Sequence, residues 1–522
     1  MKAKGSAPAS EDRQATWVLY ATVSVTGAAV MMLELLGTRI IGPFYGVSLF
    51  VWSSLISVTL IALALGYYLG GWLADRTTRF RLSHQIALAA LFAAMIPLIS
   101  TTVFSWTNAL GVRWGAFASA LLLFTLPLTF LGMVGPQVIK LAARRLEGVG
   151  TTSGSVYAIS TVGSVVGTLL LGFFLLPSVG SRAVLYGVSA VLMAVAVGLA
   201  IHERRKLGTS SLGAVLLIAV LGAGALYPSA GTAAVRSKDF EVLYETESMY
   251  GWVRVIDDRV KKMRWMLSDS SVISALWLES GQSPLLYHRI LETLPHFRPE
   301  GKKALLIGLG GGHIARELHK AGIITDALEI DPVVAAMAKR YFGFEPPGEL
   351  IVGDARYEIR RLKGKYDFII HDCFTGGAVP AHLLSVEMLR DLQSLLEEGG
   401  ILALNFVGFA QGEAAAAVYR TIGAVFPHRR TLVSLPGEDF NDFVFLASMQ
   451  PIVLDAAAAD EPAPRGQGRL AEWLQDRQVE IRQEPGFVIT DDFNPLESMQ
   501  VRKAEVYREL LVQRIGAAML TW

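Results

Sequence analysis

Between Trp17 and Tyr227 apolar residues come in long, nearly uninterrupted runs, whereas beyond Phe240 they come in short runs separated by polar stretches. The long runs are Trp17–Ile41, Leu49–Ala74, Ile86–Phe104, Gly115–Leu141, Val156–Pro177, Ala183–Ile201 and Leu212–Tyr227. Each approaches the ~20 residues that a helix needs to cross the hydrocarbon core of a bilayer. Their Gly and Ala content suits close helix–helix contact in lipid. The pattern predicts a multi-pass α-helical domain of six to seven helices over 17–228, preceded by a polar tail, 1–16.

The second half follows a different rule. Phe240–Leu267 mixes β-branched and aromatic residues with charges and predicts short antiparallel strands. An amphipathic helix is expected around Pro284–Leu294. Strand-like runs then recur at Lys303–Ile307, Ala327–Ile330, Leu350–Val352, Phe368–Ile370 and Ile401–Phe406, with helical stretches between them. That alternation predicts a doubly wound, Rossmann-like parallel sheet. The expected division is a small β-rich subdomain with its helix at 239–298, a Rossmann-like domain at 299–450, and an Ala/Pro-rich linker at 451–469. A C-terminal segment, 470–522, is expected to pack on the catalytic domain, with Val501–Leu520 helical.

Composition sharpens this picture. Hydrophobic residues make up 52% of the 522 and charged residues only 18%, against about 25% charged in an ordinary soluble domain. The formal net charge of +1 gives no basic field for nucleic acid. The single cysteine, Cys373, excludes an intrachain disulfide framework and a cysteine-rich zinc site; no metal is expected. The partner expected from this composition is a lipid bilayer, and the sequence is compatible with a homo-oligomer. No cleavable signal is expected, because the first apolar run is too long for a signal core.

Basic residues mark cytoplasmic loops. Lys2, Lys4 and Arg13, then Arg76, Arg79 and Arg81, then Lys140, Arg144 and Arg145, then Arg204, Arg205 and Lys206 all fall on one face. This puts the amino terminus inside a cell (inner) membrane. Seven crossings would put the C-terminal half outside; a last run, Leu212–Tyr227, that does not span keeps it in the cytoplasm, which is the expectation here. Glu34 and Arg39 are the ionisable candidates within a span, where charge is costly and often functional.

Four features fall at the ends of successive strands, where open α/β sheets bind ligands. The first is the glycine turn of Gly308, Gly310, Gly311 and Gly312, whose bare Cα atoms let backbone approach a ligand. The second is Glu329, placed to accept both hydroxyls of a ribose. The third is Gly353-Asp354-Ala355, where Asp354 can accept from an adenine amino group. The fourth is His371-Asp372-Cys373, beside the reacting atoms. Cys373 reads as a small buried residue, and His313 and His319 read as surface residues.

These motifs carry a resemblance. The strand–glycine turn–helix, Glu329-Ile-Asp331, Gly353-Asp354-Ala355 and Tyr366-Asp-Phe-Ile-Ile-His-Asp372 resemble the spermidine synthase (polyamine aminopropyltransferase) family, whose fold is the Rossmann type of class I methyltransferases. Tyr287-His288 matches that family's Tyr-His pair, and Asp269 stands in its Leu-Asp-Gly strand turn. Glu34 to Arg39, Asp75-Arg76 and Tyr157 to Ser164 resemble its membrane-integral branch. The resemblance implies transfer of an aminopropyl group from decarboxylated S-adenosylmethionine to a diamine such as putrescine. Glu329 and the glycine turn would hold the donor's ribose, and Asp354 with Ala355 its adenine. Asp372, with Tyr287, would orient and deprotonate the attacking amine. The chain departs from the family at Gly311 and Thr375, where acids are usual, and at Ile273, where a Gln is usual. Asp491, Asp492 and Glu497 are candidate replacements for gripping the amine. Two other functions stay open: a methyltransferase that uses S-adenosylmethionine on a hydrophobic or membrane acceptor, and a transporter or sensor with a nucleoside- or polyamine-binding domain.

Overall fold

The computed structural model describes residues 9–46, 48–76, 80–143, 148–207, 211–226, 239–374, 379–466, 468–481, 486–516 and 519–520. Contacts divide the chain into two units, Met1–Val235 with Ile515–Trp522, and Arg236–Arg514. Thr375 lies outside the described residues.

In the first unit, five helical stretches among the described residues are long and apolar enough to cross a membrane: Thr16–Tyr45, Leu49–Arg76, Leu82–Ala142, Val149–Ser178 and Ser181–Arg204. Leu82–Ala142 is a hairpin. Its helices Leu82–Thr107 and Gly111–Gly132 are joined by a 3-10 turn, Asn108–Leu110, and Gly111 takes φ 75° to reverse the chain. Phe92 stacks on Phe130 at 5.8 Å, and the hydroxyls of Thr107 and Ser119 lie 2.7 Å apart across the turn. Six helices among the described residues therefore have crossing length. The last helix, Ser211–Leu226, has 16 residues, about 24 Å at 1.5 Å per residue, short of the ~30 Å hydrocarbon core.

Small residues seat these helices against one another. A Cβ on Gly163 would lie 2.1 Å from the Ser24 carbonyl and one on Gly27 2.5 Å from that of Ser160, while the Ser164 hydroxyl donates to the Gly27 carbonyl at 2.9 Å. Leu60, Tyr68, Leu122, Val162 and Phe173 stand exposed. Glu34, half-buried, accepts a hydrogen bond from Thr59; Arg39 lies on the same helix and is also half-buried.

The second unit opens with an antiparallel meander, β1 (Phe240–Glu247), β2 (Trp252–Asp258), β3 (Met263–Ser268) and β4 (Ser271–Trp277). A helix, Leu286–Leu291, leads into a seven-stranded sheet. Its strands are β5 (Lys303–Ile307), β6 (Ile324–Glu329), β7 (Leu350–Val352), β8 (Tyr366–His371), β9 (Leu396–Phe409), β10 (His428–Val433) and β11 (Phe440–Ser448). Their order is β7-β6-β5-β8-β9-β11-β10. β5 to β9 are parallel, and β11 runs antiparallel between β9 and β10. Order reverses between β5 and β8, which makes their carboxyl ends the binding crevice. Leu305, Leu306, Ile307, Ile369 and Ile370 are fully buried, as strands covered on both faces must be.

β10 and β11 were not among the expected strands. Arg429-Arg430 and Asn441-Asp442 interrupt their apolar patterns: Arg429 and Arg430 lie over the rings of Tyr419 and Phe297, and Asn441 accepts the Leu435 N–H at 3.0 Å. The C-terminal helix, Val501–Ile515, ends short of Leu520, where Gly516 takes φ 81°.

Candidate active site

The glycine bend sits where a side chain cannot. Gly308 (φ 91°), Gly310 (φ 52°) and Gly312 (φ 74°) all use left-handed backbone, which bare glycine adopts without strain. A Cβ on Gly308 would lie 2.2 Å from the Asp372 carbonyl, so the bend crosses directly against the end of β8. A Cβ on Gly312 would lie 2.2 Å from the Phe344 ring. A Cβ on Gly311 would lie 2.4 Å from the Ser274 hydroxyl on β4. An acid at that position, usual in the resembled family, would require the Ser274 and Phe342 side chains to shift.

Glu329 closes β6 and is buried. Its two oxygens accept the backbone N–H groups of Leu309, at 3.1 Å, and Asp331, at 3.0 Å. Burial raises its pKa to about 7 despite these hydrogen bonds. The carboxyl therefore ties the glycine bend to the next strand end and retains lone pairs for a diol. Ser248 donates to Asp331 at 2.5 Å, and Asp331 caps helix Pro332–Phe342 by accepting from the Val333 N–H at 2.9 Å. Asp354 caps helix Ala355–Ile359, accepting from the Tyr357 N–H at 3.0 Å, while its second oxygen lies 3.3 Å from His382 Nε2. Its side chain is 40% exposed, so it remains open to a ligand.

Asp372 is the centre of the site. The Tyr287 hydroxyl donates to one carboxylate oxygen at 2.9 Å, and Asn405 Nδ2 donates to the other at 2.8 Å. Burial raises its pKa to about 6, against the lowering effect of the Asn405 and Tyr287 hydrogen bonds. Tyr287 is held well above its ordinary pKa by burial and by the Asp372 charge, so it stays a donor. His288 packs edge-on against Tyr287 at 4.4 Å and stacks on His313 at 5.3 Å. Burial keeps His288 neutral, well below its ordinary value. His313 is buried, not a surface residue, because Arg316 and this stacking hold it inside. Cys373, half-buried, donates its thiol to the Ile307 carbonyl at 3.1 Å, and burial raises its pKa, which favours the neutral thiol.

The remaining candidates lie elsewhere in the second unit. Asp269 sits in the β3–β4 turn at φ 52° and accepts the Trp252 N–H at 2.9 Å. Asp491 accepts two hydrogen bonds from Arg356, at 2.9 and 2.5 Å, and one from Ser385 at 2.6 Å. Asp492 and Glu497 are exposed. Asn405, Asp442 and Lys503 are additions that the motifs did not flag. Asn405 is a lone polar residue in the apolar run Ile401–Phe406, a signal available in the sequence. Asp442, half-buried, has its pKa raised to about 6 by burial and by Asp372, with Lys503 opposing. Lys503 is 3% exposed, and burial lowers its pKa to about 7. Among the described residues no cluster of His, Cys, Asp and Glu is built to hold a metal.

Strand order and strand-end acids together define a transferase-type Rossmann domain of the class I methyltransferase pattern. A spermine/spermidine synthase domain matches residues 285–434. The polyamine aminopropyltransferase of Vibrio vulnificus is 34% identical over 220 residues, covering 38% of this chain and 70% of that one. The chain belongs to the spermidine synthase (polyamine aminopropyltransferase) family of transferases. An N-terminal histidine N-methyltransferase of Emericella nidulans is 31% identical over 236 residues, 40% of this chain; the chain spans 42% of that relative's length. The crystal structure of spermidine synthase from Thermotoga maritima superposes with a TM-score of 0.37 at 19% identity, covering 46% of this chain and 84% of that one.

Proposed function

We propose that the protein transfers the aminopropyl group of decarboxylated S-adenosylmethionine to an amine, with a diamine such as putrescine as the reference acceptor. The observation that carries this reading is Asp372, fixed by Tyr287 and Asn405 against the glycine bend. An amine attacks only when neutral, so a nearby carboxylate must take its proton. A carboxylate with a pKa of about 6 is a stronger base than an ordinary Asp and is still ionised at pH 7. The amine lone pair forms the new N–C bond to the propyl carbon attached to sulfur. The S–C bond breaks with its electrons going to sulfur, methylthioadenosine leaves, and the nitrogen's proton passes to Asp372. The glycine bend, Glu329 and Asp354 bind and align the donor, which supplies most of the acceleration.

Membrane attachment belongs to the same proposal. The exposed apolar side chains of the first unit call for lipid, and six crossings return the chain to its starting side. With basic loops inside, the catalytic unit is cytoplasmic and the protein sits in the inner membrane. The assay is methylthioadenosine release from decarboxylated S-adenosylmethionine across a panel of amines; no release with any amine overturns the reading. A second reading, methyl transfer from S-adenosylmethionine to an amine, draws support from the Emericella relative and from the missing acid at Gly311. It predicts S-adenosylhomocysteine instead.

A further inference from the structure

The C-terminal segment brings a positive charge to the acceptor side of the crevice. Its approach is pinned by the Asp491–Arg356 pair and by Asn494, which donates to the carbonyls of Ala381, at 2.7 Å, and Leu384, at 3.2 Å. Leu496 is fully buried in the core. Helix Val501–Ile515 then crosses to β4, where the Tyr507 hydroxyl accepts the Val272 N–H at 3.2 Å. This path leaves Lys503 3% exposed, with its ammonium 5.4 Å from the Phe374 ring and 6.0 Å from the Tyr507 ring.

Lys503 lines a cavity together with Phe406, Phe409, Gln500 and Arg502, and the exposed acids Glu413 and Asp439 also line it. Phe406 of that lining follows Asn405, which holds Asp372. Two features of it are costly unless a ligand enters. Among the described residues, the Lys503 ammonium has neither a hydrogen bond nor a salt bridge, and Asp442 acts on it only at longer range. Gln500, also 3% exposed, has both its amide oxygen and its amide nitrogen unpaired. A buried amide without partners costs free energy in a fold and calls for an explanation, and the ammonium of a side chain only 3% exposed has little water to solvate it. A carboxylate answers both, taking one oxygen to the ammonium and the other to the amide N–H. A diamine answers only the amide oxygen, and its far ammonium would meet Lys503.

Resting on the aminopropyl-transfer reading, we propose that the acceptor is an amine carrying a carboxylate at its other end, an amino acid rather than a diamine. Its amine faces Asp372 and its carboxylate meets Lys503 and Gln500. The loss of acidic grips at Gly311 and the gain of a buried base then have one cause, a change in the charge of the acceptor's far end.

The test compares butylamine, putrescine and 4-aminobutyrate, which share a four-carbon spine and differ only at the far end. The full-length protein in nanodiscs receives decarboxylated S-adenosylmethionine and each acceptor, and methylthioadenosine is measured. The expected kcat/KM for 4-aminobutyrate exceeds the other two by tenfold or more, roughly one ion-pair contact's worth. Lys503→Met reverses the order and Lys503→Arg keeps it, while circular dichroism establishes that both variants fold. Putrescine as the best acceptor of the native protein, or an equal loss with all three acceptors in Lys503→Met, overturns the proposal. Methylthioadenosine from no acceptor would remove the activity reading, and calorimetry then decides the acceptor alone. Binding of 4-aminobutyrate that weakens about tenfold in Lys503→Met supports it, and no binding at about 10 mM or no change overturns it. A Lys503→Met variant that loses affinity only for S-adenosylmethionine assigns the carboxylate to the donor and overturns it too.

Discussion

A carboxylate that must take a proton from an ammonium gains from a raised pKa, and loses if it is raised so far that it starts out protonated. Asp372 sits between these limits, its pKa raised to about 6 by burial and restrained by the Asn405 and Tyr287 hydrogen bonds. Activity should therefore rise with pH through about 6 as Asp372 ionises. Tyr287→Phe removes a hydrogen bond to the charged form, so the acidic limb of the pH–rate profile should move to higher pH. Asp372→Asn should lower kcat by about 10²–10⁴-fold, the usual contribution of a general base, with donor affinity retained. Donor affinity itself tests Glu329. Glu329→Gln should weaken donor binding by about 10- to 150-fold, the worth of hydrogen bonds to a charged group, measured by calorimetry.

At the scale of elements, the glycine bend is constrained by its neighbours. Gly308→Ala adds a methyl 2.2 Å from the Asp372 carbonyl at φ 91°. It should cost more than about 1 kcal/mol of stability, seen as a lowered Tm, and abolish donor binding. The bend, Glu329, Asp354 and Asp372 were legible because each follows a short apolar run, and runs that short with acids at their ends describe a buried parallel strand meeting a crevice. Asn405 was half-legible as a polar break in such a run. Asp442 was not, because β11 reaches the site by its first residues and carries its polar pair Asn441-Asp442 inside the strand. Lys503 lies in a helix among Arg502 and Glu505, where charge ordinarily means solvent. Only the burial of that helix in three dimensions separates it from a surface lysine. The burial of His313 escaped the sequence for the same reason, since stacking on His288 is a long-range contact.

The whole molecule joins a helical unit with apolar outward faces to a Rossmann unit with costly buried charges. Among the shifted groups of the second unit, three buried acids and one buried base bear on stability around neutral pH. Glu329, Asp372 and Asp442 are raised, so the folded state binds more protons than the unfolded one, and their contribution to stability falls as pH rises through about 4–7. Lys503 is lowered to about 7, so its contribution recovers as pH rises from about 7 toward its unfolded value. Together they predict least stability near neutrality for the ligand-free protein, read as a dip in Tm across a pH series, which bound donor and acceptor should fill. The six proposed crossings make a separate prediction. Cysteines placed at Gly150 and at Ser280 in a Cys373→Ser background should both resist a membrane-impermeant thiol reagent in intact cells and react after lysis.

Product analysis bears most directly on the account. Purified full-length protein supplied with decarboxylated S-adenosylmethionine and an amine should release methylthioadenosine and an amine lengthened by one aminopropyl group, with Asp372→Asn nearly silent. Release of S-adenosylhomocysteine from S-adenosylmethionine alone, or methylthioadenosine formed equally well by Asp372→Asn, would contradict it.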